Sequence, residues 1–191
     1  MPPKTIRRRT LAACIVALWT GVSLASCGSD PYHLDWGQGL DTVALYSVLD
    51  PTLGLYDGFD FVNGRPVEIE AIGSTGSWDV AVGGDPGGLV LMPPGAFGLS
   101  SKAGVAVMPG KRLEDVLRAP SDSASYDATE PVPLAVGTTY VIRTRTATDI
   151  YGTTACTYYA KMEPLSVDPA QGRIRFIFGS NPNCYDLSLS P

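Results

Sequence analysis

A single histidine, His33, stands in the 191 residues of this chain, and neither a C-x-x-C nor a G-x-S-x-G motif accompanies it. A Ser-His-Asp hydrolase would have to draw its base from that one position, and a zinc or dithiol redox site lacks ligands at the spacing it needs. Phosphate cradling is excluded on similar grounds. The glycine-rich run Gly83-Gly84-Asp85-Pro86-Gly87-Gly88 leads into a β-type segment rather than a helix whose N-terminus could hold an anion. No uninterrupted apolar run reaches the about 20 residues of a spanning helix. Long helices are further discouraged by 21 glycines and 16 prolines spread along the chain.

Cations are also few, and four of them sit at the start. Lys4, Arg7, Arg8 and Arg9 precede an uncharged apolar stretch from Thr10 to Leu24, and Leu24-Ala25-Ser26-Cys27 follows. A cationic head, an apolar middle and small residues before a cysteine are the parts of a lipoprotein signal. Residues 1–26 are therefore expected to be a cleaved signal peptide. Cys27 is the expected lipidation site, with acyl chains that contribute about 0.8 kcal/mol per buried methylene to membrane attachment. The Arg8-Arg9 pair also resembles a twin-arginine signal, and Gly28 rather than Asp after the cysteine points to the outer membrane.

Loss of the signal leaves 10 of the 14 Lys and Arg against 19 Asp and Glu, a net charge of -9. Such a surface does not fit nucleic acid, and attachment to an anionic membrane must come from the lipid. Cys14 leaves with the signal and Cys27 carries lipid. Cys156 and Cys184 remain as a pair in an oxidising compartment.

Residues 27–39 read as a lipidated cysteine and tether, with His33 and Trp36 upon it, and residues 40–191 as one domain of short β runs punctuated by Gly and Pro. Expected strands include Val43–Val48, Leu89–Met92 and Val105–Met108. Phe59–Val62 and Pro66–Glu70 flank Asn63-Gly64, a type I′ hairpin signal, with Pro66 marking an edge strand. Trp78-Asp79-Val80-Ala81-Val82 is a strand with Trp78, Val80 and Val82 on one face, Trp78 filling the core and Asp79 bonding nearby backbone. It runs into the Gly83–Gly88 loop. Leu113, Val116 and Leu117, between Gly110 and Pro120, predict the one short helix, and Ser121–Thr129 an exposed loop.

The C-terminal third alternates most clearly: Thr139–Thr146, Ala155–Glu163 and Arg173–Phe178, with Ile174, Phe176 and Phe178 facing inward. A turn centred on Ala170 makes opposed residue numbers add to 340. Val167 then faces Arg173, and Cys156 faces Cys184. Opposed strand residues lie about 4.5 to 5.5 Å apart at Cα, within disulfide range, provided no bulge shifts the register. The expected fold is thus an all-β antiparallel sandwich with one short helix and a C-terminal three-strand meander stapled by a disulfide.

No constellation specifies a reaction. Asp57 with Asp60, or Glu68 with Glu70, could pair as glycosidase carboxylates, although Glu68 and Glu70 alternate with Val67 and Ile69 as a solvated strand face does. Asp57-Gly58-Phe59-Asp60 lacks the ligand density of a calcium loop, and Asp85 fits a turn residue. Arg143, Arg145, Arg173 and Arg175 lie scattered on an outer sheet face. Tyr140, Tyr158 and Tyr159 fit strand packing. No catalytic residue, metal ligand or cofactor is assigned.

Two segments carry a family resemblance. Ser77-Trp78-Asp79-Val80-Ala81-Val82 is similar to the tryptophan-aspartate strand of the HmuY-like secreted lipoproteins. Thr139-Tyr140-Val141-Ile142-Arg143-Thr144, followed by Tyr159-Ala160-Lys161-Met162 and Gly172–Phe178, resembles that family's terminal meander. The resemblance implies a sandwich-like domain on the bacterial surface. The family's haem capture through two histidines does not transfer to a chain with His33 alone, and leaves Met92, Met108, Met162 or tyrosines as the remaining ligand types. The expected function is a lipid-anchored envelope protein with a non-catalytic binding or structural role, partnered by an extracellular ligand or envelope protein. Haem or small-hydrophobic-ligand capture is the alternative, and an envelope glycan hydrolase the third.

Overall fold

The alternation of the C-terminal third becomes a continuous antiparallel ladder. The computed structural model describes residues 40–190 except 51, 53 and 149–151, so the expectations for the signal, Cys27, His33 and Trp36 lie outside the described residues. One sheet contains β1 (Asp41–Tyr46), β6 (Gly104–Met108), β8 (Thr139–Arg143), β11 (Tyr159–Asp168) and β12 (Arg173–Ser180), in the order β1-β12-β11-β8-β6. A second contains β2 (Gly58–Asp60), β3 (Arg65–Val67), β4 (Val80–Asp85), β5 (Gly88–Met92) and β7 (Val132–Pro133), in the order β3-β2-β4-β5-β7. A two-strand ribbon, β9 (Ala147–Thr148) with β10 (Ala155–Cys156), stands between β8 and β11. The fold is all-β and antiparallel, as expected.

Both sheets contribute to one core. Leu45, Tyr140, Ile142, Met162, Ile174 and Phe176 from the first sheet meet Phe59, Val80, Val82, Leu89 and Leu91 from the second. At its centre Phe59 packs edge-on against Phe61, Phe176 and Phe178, with ring centroids 4.7, 5.4 and 4.8 Å away. Edge-to-face geometry adds about 0.5 to 1.5 kcal/mol per pair beyond area burial. Phe59 is thereby the residue that most directly ties one sheet to the other.

The register differs from expectation near the turn. Asp168 pairs with Arg173 and Val167 with Ile174, one position off the expected pairing of Val167 with Arg173. The shift is absorbed between Pro164 and Ser166, where Leu165 forms a bulge. Pro164 cannot donate to a ladder, and such a bulge is where a central strand tolerates it. Beyond the bulge, Pro164–Phe176 through Ala160–Ser180 obey the expected register. The ladder ends there: Cys156 lies in β10, opposite Ala147, and Cys184 in a turn outside the strands, yet the two are bonded with Cα atoms 5.3 Å apart.

Other local expectations change for identifiable reasons. Asn63-Gly64 does lie in a hairpin, and β3 is an edge strand, but four residues separate Asp60 from Arg65 and only Gly64 takes a positive φ. Asp60 caps this loop by accepting from the Asn63 backbone and side chain, so a two-residue turn is not required. Gly83 and Gly84 belong to β4, which turns into β5 over Pro86-Gly87, with Asp85 accepting the Gly87 N–H. The expected helix is a 3-10 turn, Leu113–Asp115; three residues fall well short of the length at which helix propagation offsets nucleation. Ser121–Thr129 is mostly exposed as expected, but its Tyr126 is buried and its Asp127 bridges Val105, so the segment also covers the β6 edge.

Candidate functional site

Asp79 immediately precedes β4, Asp60 ends β2, and Arg145 lies two residues beyond β8. The sandwich brings the three together. Arg145 Nη1 donates to Asp60 Oδ1 at 2.9 Å and to Asp79 Oδ2 at 3.0 Å. Both carboxylates have 0% side-chain exposure, and Arg145 only 12%. The same carboxylates hold the backbone: Asp79 accepts the N–H of Phe61 (2.7 Å) and of Arg145 (2.8 Å), and Asp60 that of Asn63 (3.2 Å). Arg65, largely exposed, reaches Asp60 Oδ2 at 3.4 Å.

Burial alone would raise the Asp60 carboxyl, but hydrogen bonds from Arg145 and Asn63 outweigh it and hold this group below its ordinary range. Asp79 is pushed up by its deeper burial in spite of Arg145. The guanidinium, though desolvated, is held above its ordinary value by the two carboxylates. The arrangement is a charged clamp between sheets, with each carboxylate oxygen accepting at least one hydrogen bond.

A cleft of about 520 Å³ opens beside this clamp, with Thr75, Trp78, Ser100, Ser101, Lys102 and Arg145 in its wall. Trp78 is buried as expected but packs edge-on against Phe97 at 5.5 Å rather than in the inter-sheet cluster. Its indole N–H is buried without a hydrogen-bond partner. A second cleft, of about 410 Å³, lies between the β4–β5 and β11–β12 turns and includes Ser47, Leu49, Asp50, Asp85 and Gln171.

A further buried charged group lies on the outer face of the first sheet. Lys161 donates from Nζ to the carbonyls of Leu113 and Val116, each at 3.0 Å. Glu163 accepts the Leu113 N–H at 2.8 Å and pairs with Arg112 at 3.0 Å. Desolvation lowers the lysine pKa. These side chains fasten the 3-10 turn to β11. The alternation of β11 identifies their face, but no local signal says that another segment covers it.

The remaining sequence-predicted positions do not converge. Of the four arginines, Arg143 stacks over Tyr126 and donates to the Lys102 carbonyl, Arg173 lies over the Tyr46 ring, and Arg175 is exposed. Arg145 departs from the expected solvated face because it is drawn into the clamp. Asp57 accepts the Ile69 N–H instead of pairing with Asp60. Met162 is buried in the shared core, Met92 abuts the position of Gly83, and Met108 packs near Val141, so neither cleft has a methionine in its wall. Among the described residues no group of three His, Cys, Asp or Glu could hold a metal ion.

Two buried tyrosines supply a pH prediction. Tyr126 donates to the Pro120 carbonyl, and Tyr140 to that of Pro133 while accepting the Ala135 N–H. Burial raises both phenols above their ordinary value, with Tyr159 adding to the effect at Tyr126 and Arg143 opposing it. The unfolded chain gives up these protons near pH 10 while the folded one keeps them. Their contribution is therefore complete below about pH 10 and is lost above it, by up to about 1.4 kcal/mol per pH unit for each group. Lys161, with its lowered pKa, works in the opposite direction below its ordinary value of 10.5. Urea midpoints measured from pH 9 to 11 should fall at the alkaline end, and less steeply in Tyr126→Phe and Tyr140→Phe; equal slopes in all three proteins would refute the assignment.

No protein-family model matches the chain, and no curated protein matches it significantly.

Proposed function

We propose that this chain is a lipid-anchored domain of the bacterial cell envelope with a non-catalytic binding or structural role. The Cys156–Cys184 disulfide is the observation that carries the reading, because it joins the only two cysteines left after the lipobox and suits an exported, oxidising environment. The resemblance of the Trp78–Asp79 strand and the terminal meander to the HmuY-like lipoproteins points the same way. The charged side chains favour a structural or binding role over proton transfer: Asp60, Asp79 and Glu163 are occupied by hydrogen bonds to backbone and to arginine.

Expression of the full chain in a two-membrane bacterium with an alkyne-bearing palmitate tests the attachment. Labelled protein should fractionate with the outer membrane, and Cys27→Ser should lose both label and membrane association. Unlabelled protein that accumulates in soluble fractions would overturn the anchored reading.

A further inference from the structure

The cleft beside Arg145 presents hydrogen-bond donors and no carboxylate of its own. Arg145 spends Nη1 on Asp60 and Asp79, while Nε and Nη2 have no protein partner among the described residues. Trp78 lines the same cleft, with its indole N–H buried within the wall. Lys102 adds a second cation, and Thr75, Ser100 and Ser101 add hydroxyls. A volume of about 520 Å³ lies within the span of small-molecule sites, about 300 to 1,000 Å³, and exceeds what a lone ion needs.

We propose that this cleft binds a carboxylate-bearing saccharide, its carboxylate on Arg145 and Lys102 and its hydroxyls on the hydroxyl-bearing wall. Arg145 suits the role because the two buried aspartates hold its fork in place before any ligand arrives. Arg145, Arg65 and Lys102 stand against the two aspartates, a net charge of +1, which favours a singly charged carboxylate over a doubly charged phosphate. The inference deepens the binding reading and rests on it, but does not depend on the lipid anchor.

The test uses the protein as purified from the expressing bacterium, in detergent micelles, titrated with a galacturonate trisaccharide, its methyl ester, N-acetylneuraminic acid and inorganic phosphate. Calorimetry reads affinity, and the Trp78 indole ¹H–¹⁵N resonance reads location. At least one acid should bind saturably and shift that resonance, and the ester should bind at least about tenfold more weakly than the trisaccharide acid. Lys102→Ala should weaken the acid about fivefold; it leaves in place the Lys102 carbonyl that Arg143 uses, so the fold is retained. No saturable binding of either acid overturns the proposal, as does equal affinity for acid and ester. Phosphate binding as tightly as the acid overturns the saccharide class. Binding that neither Lys102→Ala nor the indole resonance registers places the ligand elsewhere, which refutes this site and leaves the binding reading standing.

Discussion

Arg145→Met should destabilise the domain by about 3 to 5 kcal/mol at neutral pH, the cost of stranding buried charge. Total stabilities are about 5 to 15 kcal/mol, so the variant should lie near the edge of folding. The expectation follows from the 0% side-chain exposure of both Asp60 and Asp79, whose shared cation is Arg145 Nη1. Methionine fills similar space and supplies neither charge nor donor, while the backbone N–H groups of Phe61, Asn63 and residue 145 continue to demand an acceptor. The carboxylates therefore cannot simply be dispensed with. In the variant both groups lose the Arg145 cation that favours ionisation, so Asp79, already raised, rises further and Asp60 rises above its unfolded value. The destabilisation is thus present above those raised values and is relieved as pH falls through them. Urea unfolding at pH 7 and pH 5 measures both effects. Adding Asp79→Asn to Arg145→Met should recover part of the loss by removing one stranded charge. A neutral-pH loss under about 1 kcal/mol would mean that the clamp is hydrated and contributes as a surface pair does.

The clamp also shows where sequence reasoning runs out. Periodicity told which face of each C-terminal strand points inward, and Tyr140, Ile142, Ile174, Phe176 and Phe178 all lie in the shared core. It could not tell what lies over the other face. Val141 and Lys161 lie on that other face, yet both are buried, because residues 113–126 and the C-terminal segment around Leu189 pack across that side. Arg145 looked like a solvated cation for the same reason. Its partners lie 66 and 85 positions away, and no local pattern records such a pairing. Asp79 was legible as a residue that bonds backbone, since a lone acid at the start of an apolar strand must find donors, but which donors it finds depends on the topology. The Leu165 bulge was invisible in detail, although Pro164 within a central strand is the kind of residue that requires one. In the candidate cleft, Trp78 stood out and Lys102 and Ser100 did not, because a cleft is made by segments that the chain brings together only after both sheets form.

Removing the disulfide, by reduction or by Cys156→Ala with Cys184→Ala, should cost about 3 to 4 kcal/mol, the chain-entropy value for a closed loop of this size. The sequence separation is 28, and the loop contains β11, the centre of the first sheet, together with β12. Both strands pair with neighbours along their length, so the cross-link is not needed to define the sheet. Its local effect falls on the segment beyond β12. There Tyr185 takes a φ of 57° just after Cys184, donates its N–H to the Thr157 carbonyl and its hydroxyl to that of Ala155. Asn181, itself buried, donates to Asp186 and to the Ser188 carbonyl, and Leu189 is fully buried in the second apolar cluster. Hydrogen bonds of this kind contribute about 0.5 to 1.5 kcal/mol each, so the reduced chain should retain the segment in place but open it far more often. Hydrogen exchange should accordingly accelerate at Tyr185 and Leu189 before it does in β11 or β12, while urea unfolding reports the global loss. Unchanged exchange at Tyr185 together with a global loss below about 1 kcal/mol would show that the hydrogen bonds alone secure this end of the sandwich, and that the disulfide serves the folding chain or the exported one rather than the finished structure.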